Sequence, residues 1–408
     1  MTTRIVLPND PYPYNSYQET NWKNRILQQP VRWIAMLLLL LSSGPLLARP
    51  FELADLELVP LVPDSTRTAR DGPGRLALRV TQPVSISHTA LAAAVSQSKE
   101  VVPPLAADPA PVKATVCGVR VDDEVVLISS RPIGYSCDPH KLMSGLRCQR
   151  YVASADNCRR HWQDVDLLQV LKENNPSVPT VVFVHGNQIA VGQDKRQGLV
   201  VYRHMMRCAD QNRPIRFIVF SWPSGKIRGP LRDVRVKAAR ARPVGCQMAW
   251  VLDQIPGDVP LGLIGYSYGA RVITGALHLL GGGNLSGLGL KERSHPNRAP
   301  VRAVLIAAAS NANWLGPGGY HGQAMTQIDE MLSINNRCDI AMRWYRISTR
   351  CGNPQAMGLN GPTRLGPERH KVRNRDVSRY VGSNHDEYCY LSVPGVACQL
   401  WDYTTWAE

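Results

Sequence analysis

From about Ala114 to the C-terminus, short apolar runs alternate with longer stretches whose apolar residues recur every three or four positions. "EVVLISSRPIG" (124–134), "TVVFVHGN" (180–187), "IRFIVFSWPSG" (215–225) and "LGLIG" (261–265) read as strands, each ending in a turn rich in Gly, Pro, Ser or Asn. The β-branched run of "TVVFVHGN" is typical of a strand buried on both faces. Between them, "DVDLLQVLKENN" (164–175), "GLVVYRHMMRCADQ" (198–211), "RDVRVKAARARPVGCQMAWVLDQI" (232–255, in one or two pieces) and "ARVITGALHLLGG" (270–282) read as helices. Later strand or helix-to-strand units come from "VRAVLIAAAS" (301–310), "QIDEMLSINN" (327–336) and "VSRYVG" (377–382). Strands alternating with helices predict an α/β fold with a mainly parallel sheet and helices on both faces. In such sheets the site forms at the carboxyl ends of the strands.

The pattern breaks down before residue 114. Residues 1–30 are polar and rich in Pro, Tyr and Asn. Residues 31–50 hold a short apolar core, Trp33–Leu41, preceded by Lys23, Arg25 and Arg32 and interrupted by Ser42–Pro45. This suits an export signal better than a spanning helix, which needs about 20 apolar residues. Ala48 fits the last position before cleavage, but Leu46 is large for its place. An uncleaved anchor through residues 33–47 is therefore the alternative, with its basic side inside. The organisation expected is an extension and signal over 1–48, a Pro/Ala-rich linker over 49–113 and one catalytic domain over 114–408.

Ten cysteines, an even number, all lie beyond the signal, which in an exported chain reads as disulfides. Connectivity does not follow from sequence; Cys389–Cys398 and Cys338–Cys351 are close enough in the chain to be guessed as pairs. No Cys/His spacing suits zinc, so no metal site is expected. The net charge of +15 comes from 47 Lys+Arg against 32 Asp+Glu, and most of the basic residues are arginine. They are scattered, without a basic stripe interleaved with aromatics, which argues against a nucleic-acid partner.

Chemistry concentrates at Gly265-Tyr266-Ser267-Tyr268-Gly269, a G-x-S-x-G match between a strand and a helix. A small-residue turn is the plain reading. The sharper one is a nucleophile on a strained corner, flanked by positions that must lack side chains because two backbones pass close by. A serine hydroxyl needs a base, and the base needs an orienting acid. His295, His321, His370 and His385 follow Ser267. His385, in a loop after the last strand and before a terminal helix, is the candidate base. The acid candidate is Asp339, just past the strand "MLSINN"; it could instead simply cap the next helix. Asp329 and Glu330 are the fallback. His185-Gly186-Asn187 closes its strand with a turn able to offer the N–H of Asn187 or Gln188 to an oxyanion, with the Tyr268 N–H as second donor. His185 itself reads as structural. The arginine-rich stretch 224–242 reads as a solvated helix face, with an anionic acyl donor as the alternative.

The series "FVHGN", "FSWPSG", "GYSYGARV", "INNRCD" and "NHDEY" resembles the α/β-hydrolase superfamily. Within it, the chain is similar to a poorly characterised bacterial group with an H-G-x-N turn, an F-S-W-P-S strand end and a serine elbow. The resemblance covers about residues 120–400. It implies a mostly parallel sheet of about eight strands, a Ser-Asp-His triad and no cofactor. It places the nucleophile on Ser267, the base on His385 and the oxyanion donors on Asn187 and Tyr268. Two departures stand out. The group commonly has His-Ser-Met where this chain has Tyr266-Ser267-Tyr268. The aspartate often found after the "AVLIAAA"-type strand is replaced by Ser310 and Asn311, a second reason for placing the acid on Asp339. The expected function is an exported serine hydrolase acting on a small-molecule or lipid-like acyl ester. A non-catalytic envelope or binding protein is the alternative, as are thioesterase, amidase or peptidase activities using the same triad.

Overall fold

The computed structural model describes residues 118–153, 160–173, 175–348 and 354–407, with the backbone of Thr115 and Val116. The extension, signal and linker expected over 1–113 lie outside the described residues, as do Cys117, Cys158 and Cys351.

Nine strands form one sheet: β1 (Glu124–Ser129), β2 (Arg147–Ala153), β3 (Arg160–Asp164), β4 (Thr180–Val184), β5 (Arg216–Ser221), β6 (Leu261–Tyr266), β7 (Val301–Ile306), β8 (Ile328–Asn335) and β9 (Val372–Asp376). Their order across the sheet is β9-β8-β7-β6-β4-β5-β1-β2-β3. Only β2 runs against the others, since it pairs antiparallel with both β1 and β3 while the remaining pairs are parallel. The chain is therefore an α/β protein with a mostly parallel sheet.

The central strands alternate into two cores, as a sheet covered on both faces requires. On β1, β4 and β5, Val126, Ile128, Val182, Val184, Ile218 and Phe220 enter one core. Their neighbours Val125, Leu127, Val181, Phe183, Phe217 and Val219 enter the other. Helices α1 (Gln193–Met205) and α6 (Val396–Thr405) cover the second face through Val201, Tyr202, Met205, Leu400 and Trp401. Helices α2 (Pro230–Gln254) and α3 (Tyr268–Leu280) cover the first through Val244, Met248, Val272 and Ile273. Two short helices at the carboxyl edge complete the set used below, α4 (Ile340–Arg343) and α5 (Glu387–Leu391).

The differences from the sequence expectation have local causes. The sheet has nine strands where the resemblance implied about eight, and no apolar run announces the β2–β3 hairpin, built from "RCQRYVA" and "RHWQD", largely polar and partly exposed. The stretch 232–255 is one helix that passes through Pro243. The helix expected at 198–211 starts earlier, at Gln193, and ends at Met205. "VSRYVG" contributes a short helix, Ser378–Val381, and the last strand is the charged "VRNRD" before it. That strand sits at the sheet edge, where one side of the ribbon meets water and charged side chains suit it.

Two disulfides close, Cys137–Cys246 and Cys208–Cys398, as in proteins of oxidising compartments. The second corrects the expected Cys389–Cys398 pair, because Cys398 on α6 faces Cys208 just past the end of α1, and Cys389 is left as a thiol. Cys338 is also a free thiol; its expected partner Cys351 is outside the described residues. No helix among the described residues is long and apolar enough to cross a membrane.

Candidate active site

Ser267 stands between the last residue of β6 and the first of α3, with φ 52° and ψ −115°. Side-chain-bearing residues rarely adopt this backbone, so surrounding contacts have to hold it. Two backbone hydrogen bonds to the end of β7 do so: the Ser267 N–H donates to Ile306 O (2.9 Å), and Ser267 O accepts from Ala309 N–H (3.0 Å). The flanking glycines are sterically required. A Cβ on Gly265 would lie 2.6 Å from Ala270 Cα, and one on Gly269 would lie 2.0 Å from Val184 O. The corner is tight because helix α3 folds straight back onto β4 and β6. Gly186 approaches from the other side, where a Cβ would come within 3.3 Å of Ser267 Cβ and 2.9 Å of the Tyr266 ring.

The candidate base and the candidate acid arrive from separate loops. His385 Nε2 is 3.0 Å from Ser267 Oγ, and His385 Nδ1 is 2.6 Å from Asp339 Oδ2. Asp339 follows β8 and His385 follows β9, so both reach the rim from strand carboxyl ends. Asp339 is fully buried and has a separate task for each oxygen. Its Oδ1 caps α4 by accepting from Met342 N–H (3.0 Å), while Oδ2 accepts from His385 and from Tyr390 OH (2.5 Å). Helix capping and imidazole orientation, the competing readings of this residue, coexist in one carboxylate. Asp329 sits instead at the amino end of β8, paired with Arg302 (3.1 Å), on the opposite edge of the sheet.

Two tyrosines frame the imidazole. The Tyr266 ring stacks against His385 with centroids 5.3 Å apart, and its hydroxyl donates to His385 O (2.8 Å). Burial and nearby carboxylates push the Tyr266 phenol well above its usual range, so it stays a donor. Tyr390, on α5, is raised in the same way, by burial and then by the Asp339 charge its hydroxyl faces. Ser267 is only 4 % exposed, whereas the His385 side chain is 22 % exposed, so the site opens to solvent on the imidazole side.

The turn after β4 is anchored from beneath. Asn187 Nδ2 donates to Asp233 Oδ2 (2.6 Å), and Asp233 Oδ1 accepts from Lys237 Nζ (2.9 Å) and Ile227 N–H (2.8 Å). Asp233 and Lys237 are both buried, so the arginine-rich stretch 224–242 turns its one lysine–aspartate pair inward. Burial alone would raise the Asp233 carboxyl, but the hydrogen bonds from Lys237, Asn187 and Ile227 together with the Lys237 charge outweigh this and hold it below the usual range. The Gln188 N–H is bonded to Ser224 O (2.8 Å). His185 is fully buried and stacks on Trp222 (5.9 Å). Its Nε2 accepts from Trp222 N–H (3.3 Å), which leaves Nδ1–H to donate to Gly186 O (3.0 Å). Burial lowers its pKa to about 4, so it is a neutral structural imidazole. Of the other histidines, His321 is buried against Thr274 (2.8 Å) and His370 is exposed beside Pro367 O (2.7 Å).

No protein-family model matches this chain, and no curated protein matches it either. The chemistry of the site therefore rests on its own geometry. A hydroxyl, an imidazole and a buried carboxylate lie in hydrogen-bonded sequence, with the hydroxyl on a strained corner at a helix N-terminus. That arrangement can pass a proton from the alcohol to the ring while the carboxylate fixes the ring's orientation. Among the described residues, no group of three His, Cys, Asp or Glu side chains could hold a metal ion.

Sequence reasoning missed Tyr390 and Tyr266 as neighbours of the acid and base. Tyr390 carries no motif, since "EYCYL" reads only as the start of a helix. Tyr266 occupies the x position of G-x-S-x-G, and its role depends on a loop 119 residues away.

Proposed function

We propose that this protein is an exported serine hydrolase of the α/β-hydrolase superfamily that cleaves an acyl ester through an acyl-enzyme. The observation that carries the reading is the continuous line Ser267 Oγ–His385 Nε2 (3.0 Å) and His385 Nδ1–Asp339 Oδ2 (2.6 Å). Ser267 Oγ attacks the ester carbonyl while His385 Nε2 takes its proton. The imidazolium then protonates the departing alcohol, and a water activated by the same nitrogen releases the acid. Asp339 orients the ring throughout. The oxyanion is assigned to the N–H groups of Asn187 and Tyr268; Gln188, the other candidate of that turn, already donates to Ser224 O. The strained backbone at Ser267 supports the reading further, because such strain persists where function requires it.

The sheet has one strand more than the eight implied by the resemblance, and the partly polar β2–β3 hairpin lies at the sheet edge, away from the elbow strand β6. The two disulfides favour a periplasmic or secreted location, with residues 33–47 serving as cleaved signal or retained anchor. A fluorophosphonate probe should label the wild type, and Ser267→Ala should abolish labelling together with hydrolysis of p-nitrophenyl esters. Equal labelling of the variant would place the reactive residue elsewhere and end this reading.

A further inference from the structure

Arg271 lies one helical turn beyond Ser267 on α3 and takes no part in the triad. Its guanidinium carbon sits over the Trp314 ring, 4.5 Å from the centroid. Its Nη1 is buried and has no hydrogen-bond partner, and no carboxylate among the described residues forms an ion pair with it. A half-buried guanidinium left in this state is unusual, because Arg normally satisfies its planar fork of donors when water is removed. The stack on Trp314 fixes the plane of the group and leaves its in-plane N–H donors for something else.

The surroundings point to what that is. Arg271 stands four positions after Ser267, so the two share one face of α3 at its N-terminal turn. Trp314 belongs to the segment that follows β7, and the start of that segment clamps Ser267 through Ile306 O and Ala309 N–H. Tyr345, six residues past Asp339, is close enough for the Arg271 charge to oppose the rise that burial imposes on its phenol. Arg271 is thus bracketed by the segments that carry the nucleophile, its clamp and the acid. Of the basic stretch 224–242, Lys237 is neutralised by Asp233, and Arg240 lies over Tyr135 (5.3 Å) and donates to Pro223 O.

We propose that Arg271 recognises a carboxylate on the acyl part of the substrate, so that the preferred ester is a half-ester of a short dicarboxylic acid. This deepens the hydrolase reading and rests on it. The guanidinium fork would take the carboxylate through paired N–H donors, and a placement one helical turn, about 6 Å of rise, beyond Ser267 favours a short methylene spacer.

The test compares mono-p-nitrophenyl succinate with p-nitrophenyl butyrate, each rate taken above that of the Ser267→Ala protein. In wild type the succinate half-ester should have the higher kcat/KM. In Arg271→Met the ratio of the two kcat/KM values should fall about 10- to 100-fold, mainly through KM. Arg271→Lys should restore part of it, since charge returns without the fork. Succinate should also slow fluorophosphonate labelling of wild-type Ser267, which keeps the proposal testable if the methionine variant fails to fold. An unchanged ratio in Arg271→Met, or equal losses on both esters, overturns the assignment while labelling of Ser267 leaves the hydrolase reading standing. Protection by inorganic phosphate in place of succinate overturns the carboxylate. Absence of labelling in wild type overturns both.

Discussion

The two sides of the site are built by opposite means. The side of the candidate nucleophile is made of backbone: β6, the corner and α3 are continuous in sequence and pack so closely on one another and on the end of β4 that Gly265, Gly269 and Gly186 leave no room for a side chain. The acid–base side is made of side chains. Asp339 and His385 lie on loops beside short helices, and what joins them is the set of hydrogen bonds converging on Asp339 Oδ2. The first side resists change through steric exclusion, while the second depends on a few polar contacts in a buried setting, where each is strong if satisfied and costly if not. Damage on one side should therefore appear as misfolding, and damage on the other as a folded protein that has lost rate.

Asp339→Asn is the sharpest break of this comparison. It keeps shape but presents the wrong hydrogen-bonding group to His385 Nδ1, so kcat for an activated ester should fall on the order of 10³–10⁴-fold. Circular dichroism should still show a folded protein. Gly269→Ala acts on the other side. Its methyl would meet Val184 O at 2.0 Å, and a destabilisation of about 3 kcal/mol or more is expected in urea unfolding, with activity lost alongside stability. A well-folded but inactive Gly269→Ala would contradict the contrast.

Tyr390→Phe should cost less than Asp339→Asn, about 10-fold in kcat. The carboxylate keeps the imidazole and the Met342 N–H and loses one donor, so urea unfolding should register about 1 kcal/mol. A change in stability with no change in rate would make Tyr390 a purely structural contact.

A pH-dependent effect on stability alone concerns Glu387, buried two residues past His385 and accepting from Gln197. Burial raises its pKa from 4.5 to about 8. Between these values the folded protein holds a proton that the unfolded chain has released, so the contribution of Glu387 to stability is greatest below pH 4.5 and declines as pH rises toward 8. Glu387→Gln removes that decline. The melting temperature of the variant should gain on wild type as pH goes from 5 to 8, and an equal offset at both pH values would show that Glu387 is not the group titrating.

Much of the nucleophile side was legible in the sequence, because it is local. "LGLIGYSYGARV" contains the strand, the corner, both glycines and the start of the helix, and the backbone demands of the corner write themselves into those residue types. His385 could be picked out by its place in a loop after the last strand. Asp339 was reached by elimination once Ser310 and Asn311 offered no carboxylate. The β2–β3 hairpin and β9 were harder to read, since strands near or at a sheet edge can carry polar residues, and their apolar signal fades.

The order of apolar runs along the chain determined an α/β protein with a mostly parallel sheet, because a strand buried on both faces must be apolar almost throughout. Sequence also determined where a strained serine could sit, since only small neighbours tolerate that approach of backbones. Tertiary structure alone decided that Tyr390 and His385 share one oxygen of Asp339, that Tyr266 lies against the imidazole, and that Cys398 joins Cys208 across 190 residues. It also decided that Arg271 keeps an unpaired nitrogen beside the site. These are contacts between segments distant in the chain, made by residue types that fit many surroundings, and only the packing of the sheet and its loops selects among them.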